Sequence, residues 1–97
     1  MLPNVCFMEE PNDLIVVADH DEAVRSGFER LFGDHYTVVC FGESEEALRF
    51  LKQNPATCVI FSCYNLPGRG GTAFLRASEM LVPQAARVML PNETSAE

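Results

Sequence analysis

Short apolar runs alternate with segments of helical periodicity along this 97-residue chain, and this alternation restricts its fold more than any other feature. The first run, residues 14–18 (LIVVA), is apolar throughout and rich in β-branched residues, as expected for a strand buried on both faces. The predicted strands are residues 14–18, 36–41, 57–62 and 86–90, and the predicted helices are residues 22–32, 45–53 and 72–81. Because the connections fit only crossover helices, the pattern predicts an α/β fold with an open parallel sheet.

Residues that start or stop helices stand between these segments. Asp21 or His20 can cap the first predicted helix, a role that for His20 is favoured over metal binding, and Gly33 follows its last turn. Ser44 is the predicted N-cap of the second helix. Helical spacing in the first helix favours core packing over a partner-binding face, with Val24, Phe28, Leu31 and Phe32 predicted to face inward.

Charge and hydropathy exclude several classes of partner. Fourteen acidic against seven basic residues give a net charge of −7, which repels phosphate backbones and anionic lipid headgroups, so we expect no nucleic-acid partner. The apolar runs are far too short to cross a bilayer, so we expect a cytoplasmic protein without membrane contact. Residues 1–13 lack periodicity and are predicted to be a flexible lead-in to a domain over residues 14–97.

The four cysteines form no CxxC pair and accompany no histidine cluster at zinc-finger spacing. Most lie in or beside apolar runs, where a free cysteine behaves as a small hydrophobic residue, so structural disulfides are not indicated. In an open parallel sheet, ligand chemistry collects beyond the carboxyl ends of the strands. The residues that close the predicted strands there are Asp19, His20, Cys63 and Pro91.

Two stretches resemble the receiver domain of response regulators in two-component signalling. Residues 16–25 (VVADHDEAVR) resemble that family's first strand, acidic pair and start of helix one. Residues 63–71 (CYNLPGRGG) resemble its Asp-x-x-x-Pro-Gly-x-x-Gly loop, with Pro67 and Gly71 in register. The resemblance implies a flavodoxin-like, doubly wound parallel sheet of strand order 2-1-3-4, in which the fifth strand and the last helices are missing.

The same resemblance implies that the family's phosphorylation chemistry is lost. Receivers accept a phosphoryl group on an aspartate that ends strand three, with magnesium held by that aspartate and the acidic pair. Here Asp19 occupies the first acidic position, but His20 stands at the second and Cys63 at the acceptor position. Pro91 replaces the hydroxyl residue that follows strand four. We therefore expect no magnesium, no cofactor, no bound metal and no enzymatic activity.

The leading prediction is a receiver-like module in a phosphorelay context that signals by protein contact without phosphorylation. The open edge of strand four is the expected contact surface, for a protein partner or for a second copy of this chain. The alternative is a thiol- or metal-responsive sensor that uses Cys63 and His20, because thiolate, imidazole and the carboxylate of Asp19 can all bind zinc. Only three such ligands are expected to converge, which favours a solvated polar pocket.

Overall fold

The computed structural model describes residues 14–91, so the predicted lead-in over residues 1–13 lies outside the described residues. Strands and helices alternate in the predicted order: β1 (Leu14–Ala18), α1 (Glu22–Phe32), β2 (Thr37–Phe41), α2 (Ser44–Gln53), β3 (Val59–Ser62), α3 (Gly71–Leu81) and β4 (Ala86–Met89). The observed bounds differ from the predicted ones only at element ends. None of the helices within residues 14–91 is long and apolar enough to cross a membrane.

The strands form one parallel sheet of order β2-β1-β3-β4, which confirms the predicted fold class and strand order. Val16 of the central strand β1 is in register with Val39 of β2 and with Ile60 of β3. Ile60 is in turn opposite Arg87 of β4. Since β1 is flanked by strands and covered on both faces, its residues are almost wholly buried, as its apolar run predicted.

One face of the sheet carries most of the core, because α2 and α3 both pack on it. Phe74 of α3 and Leu51 of α2 are fully buried there. At the β4 end of this face, the Arg87 guanidinium reaches α3, where its Nε donates to Ser78 Oγ at 2.8 Å. The core cluster on this face includes Val16, Ala18, Ala47, Leu48, Leu51, Ile60, Leu66, Phe74 and Val82.

The opposite face is covered by α1, within the part of the chain that the structure describes, and no residue of α1 is fully buried. Phe28 packs on Phe61 of β3 with ring centroids 4.7 Å apart. The prediction that Leu31 faces inward is wrong, because its side chain is 75% exposed. Periodicity finds the apolar stripe of a helix, but it does not show how much of that stripe the neighbouring elements cover. Val88 of β4, in register with Phe61, is 39% exposed on the same face.

The N-cap of α2 differs from the predicted one. Glu43 caps this helix, since its carboxylate accepts the backbone N–H groups of Glu45 at 2.7 Å and Glu46 at 3.1 Å. Ser44 is instead the first helical residue and is fully buried. Its hydroxyl accepts the backbone N–H of Arg69 at 3.0 Å, a contact across 25 residues of sequence. A tertiary hydrogen bond therefore uses the hydroxyl that local capping preference assigned to the helix end.

Candidate functional site at the carboxyl edge of the sheet

The residues predicted from the strand ends meet around one cavity of about 380 Å³ beyond the carboxyl ends of β1, β3 and β4. Asp19, His20, Cys63 and Pro91 all line it. Apolar side chains from α1 and from the end of β4 complete much of its wall. The parallel topology thus brings together side chains that are up to 72 residues apart in sequence (91 − 19 = 72).

Asp19 is held from several directions. Its side chain is buried, and Oδ1 accepts the backbone N–H of Asp21 at 2.9 Å. Arg25 donates from Nη1 to the main-chain oxygen of Asp19 at 2.7 Å, a contact that sequence reasoning missed. Of the two predicted caps of α1, Asp21 is confirmed as the N-cap, since it accepts the N–H of Ala23 at 2.9 Å, and the alternative that His20 caps this helix is wrong. The imidazole is therefore available to the cavity.

Cys63 and His20 are in direct contact. The Cys63 Sγ lies 3.6 Å from His20 Nδ1, and the same nitrogen lies 3.7 Å from Asp19 Oδ1. Cys63 is only 7% exposed, whereas the His20 side chain is 56% exposed. Burial is the largest cause that raises the pKa of the Cys63 thiol; a hydrogen bond from the backbone N–H of His20 opposes the rise, and Asp19 adds to it. Burial therefore contributes more to this shift than the nearby Asp19 carboxylate does.

The loop between β3 and α3 holds Cys63 in place. The N–H of Gly71 donates to Tyr64 O at 2.8 Å, and the carbonyl of Pro67 accepts the N–H of Ser44 at 2.9 Å. Gly68 has a φ of +99°, in the left-handed region that only glycine adopts without strain. Pro67 and Gly71, singled out by their spacing from Cys63, thus tie the loop to the body of the domain.

The donor atoms at this edge do not fit the magnesium ion that the fold family implies. Magnesium takes hard oxygen ligands in octahedral geometry, usually with carboxylates and water. The side chains that converge here supply one carboxylate from Asp19, one imidazole from His20 and one thiol from Cys63. Pro91 offers no hydroxyl, and Thr94, the nearest threonine in sequence, lies outside the described residues.

Solved structures of similar fold were found by comparison. The chain is similar to an adenylate cyclase from Rhodopirellula baltica, with 25% identity and a TM-score of 0.77 over 88% of this chain and 65% of that one. It is similar to the receiver domain of the hybrid histidine kinase CckA, with 24% identity and a TM-score of 0.72 over 86% of this chain and 92% of that one.

A response regulator from Burkholderia pseudomallei, solved with a phosphorylated aspartic acid and a calcium ion, is similar with 21% identity and a TM-score of 0.71. That likeness covers 78% of this chain and 45% of the response regulator, and the chain thus spans less than two thirds of the length of the adenylate cyclase and of this response regulator. No family model and no curated protein matches the sequence. Together with the strand order and the loop after β3, these likenesses show that the chain has the fold of a response-regulator receiver domain.

Proposed function

We propose that this chain is a receiver-like signalling module of a two-component phosphorelay that works by protein contact and accepts no phosphoryl group. The observation that carries the proposal is the identity of the residue that ends β3. A receiver needs a carboxylate there, and this chain has the buried thiol of Cys63. A buried thiol whose pKa is raised stays protonated near neutral pH and is a poor nucleophile.

The electrostatics of the cavity support the same proposal. With three carboxylates the acidic site of a receiver carries a charge of about −3, whereas the three converging residues here carry about −1, from Asp19, and hard-cation affinity follows ligand charge. Magnesium neutralises the phosphoryl oxygens during transfer, so weak magnesium binding would by itself slow the reaction. Pro91 also lacks the hydroxyl that would contact a phosphoryl oxygen.

The proposed contact surface is the outer edge of β4 together with the apolar sheet face beside it, and its proposed occupant is a second copy of this chain. Within the described residues, β4 pairs with β3 alone. Val88 and Met89 on β4 are 39% and 37% exposed. Pairing between two identical edges closes after two copies, and it would cover Val88 of both.

Magnesium titration followed by ¹H–¹⁵N NMR tests the loss of the cation site. The wild-type chain should show no saturable shift changes at Asp19 or Cys63. The double variant His20→Asp/Cys63→Asp restores three carboxylates and serves as the positive control, with localised shifts expected at the same positions. Saturable magnesium shifts in the wild-type cavity would contradict the proposal.

Analytical ultracentrifugation tests the contact surface. We expect a concentration-dependent dimer for the wild-type chain and a shift toward monomer for Val88→Lys, because a charge on an edge strand opposes pairing. The matched control is Met80→Lys, which places the same charge on a side chain of α3 that is 87% exposed and away from β4. A wild-type chain that stays monomeric at all concentrations contradicts the second copy as occupant.

A further inference from the structure

We propose that Asp19, His20 and Cys63 form a zinc-binding site at the carboxyl edge of the sheet. Each of these residues offers one donor atom, and the three atoms lie within 4.8 Å of one another. This zinc site does not depend on the proposed signalling function, because a receiver-like module can signal by protein contact whether or not it binds zinc.

The geometry of the sulfur and nitrogen donors matches zinc closely. Zinc–sulfur bonds of about 2.3 Å and zinc–nitrogen bonds of about 2.0–2.1 Å, at a tetrahedral angle, place the two donors about 3.6 Å apart. The observed distance from Cys63 Sγ to His20 Nδ1 is 3.6 Å. A carboxylate oxygen and the imidazole nitrogen should lie about 3.3 Å apart in the same geometry. His20 Nδ1 and Asp19 Oδ1 are 3.7 Å apart, so a small rotation of the exposed imidazole brings this pair into range. Zinc also requires Cys63 Sγ and the Asp19 oxygen to lie about 3.6 Å apart, and small side-chain adjustments bring together the three donors, which already lie within 4.8 Å of one another.

The chemistry of the donors selects the ion. Thiolate and imidazole prefer zinc over the hard cations that carboxylate and carbonyl oxygens prefer. On binding zinc, the Cys63 thiol releases its proton to solvent, as cysteine ligands do. The resulting thiolate and the Asp19 carboxylate carry two negative charges, which balance the charge of Zn²⁺ beside a neutral imidazole ligand. The cavity beside the three donors leaves room for water as a fourth ligand, as in zinc sites with three protein ligands.

Hydrogen bonds around the donors hold two of them in position before any ion binds. The N–H of Cys63 donates to Ala18 O at 3.0 Å, and its carbonyl accepts the Ser62 hydroxyl at 2.9 Å. The Asp19 carboxylate is fixed by the N–H of Asp21 at 2.9 Å. Such outer contacts fix ligand orientation and are worth 10- to 100-fold, roughly, in metal affinity when lost. Zinc binding therefore has to order mainly the exposed imidazole of His20, with small adjustments of the Cys63 and Asp19 side chains.

Zinc binding by the full chain, measured by isothermal titration calorimetry against a competing chelator, tests the site. We expect one zinc ion per chain, and a loss of affinity of more than about 100-fold in Cys63→Ser and in His20→Ala, because each variant removes a ligand rather than an outer contact. Cys58→Ser is the matched control, since Cys58 is an exposed cysteine just before β3, and the variant should bind zinc as the wild type does.

Cobalt titration gives a second readout that does not depend on folding stability. A thiolate–cobalt charge-transfer absorption should appear in the wild type and in Cys58→Ser and be absent in Cys63→Ser. His20→Ala changes an exposed side chain, so its fold, checked by circular dichroism, should be unchanged. A wild-type chain that binds no zinc, or zinc binding that survives in Cys63→Ser or His20→Ala, would contradict the proposed zinc site. Neither result would change the outcome expected for the magnesium titration.

Discussion

The two faces of the sheet are covered very differently. On one face, α2 and α3 bury side chains completely, as at Leu51 and Phe74. On the other, α1 buries no residue completely and leaves Leu31 75% exposed. The same kind of amphipathic helix thus contributes core on one side and a partly exposed apolar surface on the other. We therefore expect most of the free energy of unfolding to come from the face covered by α2 and α3. The face covered by α1, together with β4, is better suited to binding another protein chain.

The largest expected effect comes from a matched pair of leucines, one on each face. Leu51→Ala should lower the free energy of unfolding by about 2–5 kcal/mol, because it removes fully buried methyl groups and leaves a cavity. Leu31→Ala should change it by no more than about 0.5 kcal/mol, because the side chain already contacts water. Urea denaturation of both variants measures the difference. Equal losses would mean that α1 is covered in solution and would break the comparison.

Gly71→Ala tests how closely the loop between β3 and α3 packs at the start of α3. A Cβ at this buried position would collide with the carbonyl oxygen of Cys63 and approach Met89 Sδ to 3.1 Å. The backbone must shift to accept it, so we expect a loss of about 1–3 kcal/mol in unfolding free energy. Gly27→Ala is the control, because a Cβ there meets nothing within 4 Å. If both substitutions are tolerated equally, the loop is not packed as described.

Asp21→Ala, which should cost less than Leu51→Ala or Gly71→Ala, tests whether α1 opens independently of the rest of the domain. Loss of the N-cap bond to Ala23 should cost about 1 kcal/mol. Because α1 has no fully buried residue, this cost should appear as local opening of the helix. Hydrogen exchange should show faster amide exchange in α1 and unchanged exchange in α3. Equal loss of protection in both helices would show instead that α1 opens only when the whole domain unfolds.

The fold could be predicted from the sequence because each element carries a local signal. Apolar β-branched runs identified the strands, and helical spacing with Gly33 identified α1. The coverage of α1 could not be predicted, since periodicity shows which side of a helix is apolar and is silent on how much surface lies opposite. The inward placement of Leu31 was wrong for this reason.

The sequence predicted the part of the site that is formed by residues at the carboxyl ends of the strands. Parallel topology brought Asp19, His20 and Cys63 together as expected. The missed contacts are tertiary. Ser44 accepts the N–H of Arg69, while the Arg69 side chain forms an ion pair with Glu45 at 2.8 Å. These bonds join the start of α2 to the loop after β3, and no local pattern in the sequence encodes such a pairing.

The most direct test of the absence of phosphoryl transfer is intact-mass spectrometry after incubation with acetyl phosphate and magnesium. An authentic receiver with an aspartate at the end of its third strand serves as the reaction control. The wild-type chain should keep its mass, because Cys63 offers a buried, protonated thiol and Asp19 is the only carboxylate among the three converging residues. A mass increase of one phosphoryl group that is removed by mild base, and that persists in Cys63→Ser, would place an acyl phosphate elsewhere and contradict the account; a phosphoryl group on Cys63 itself would contradict it equally.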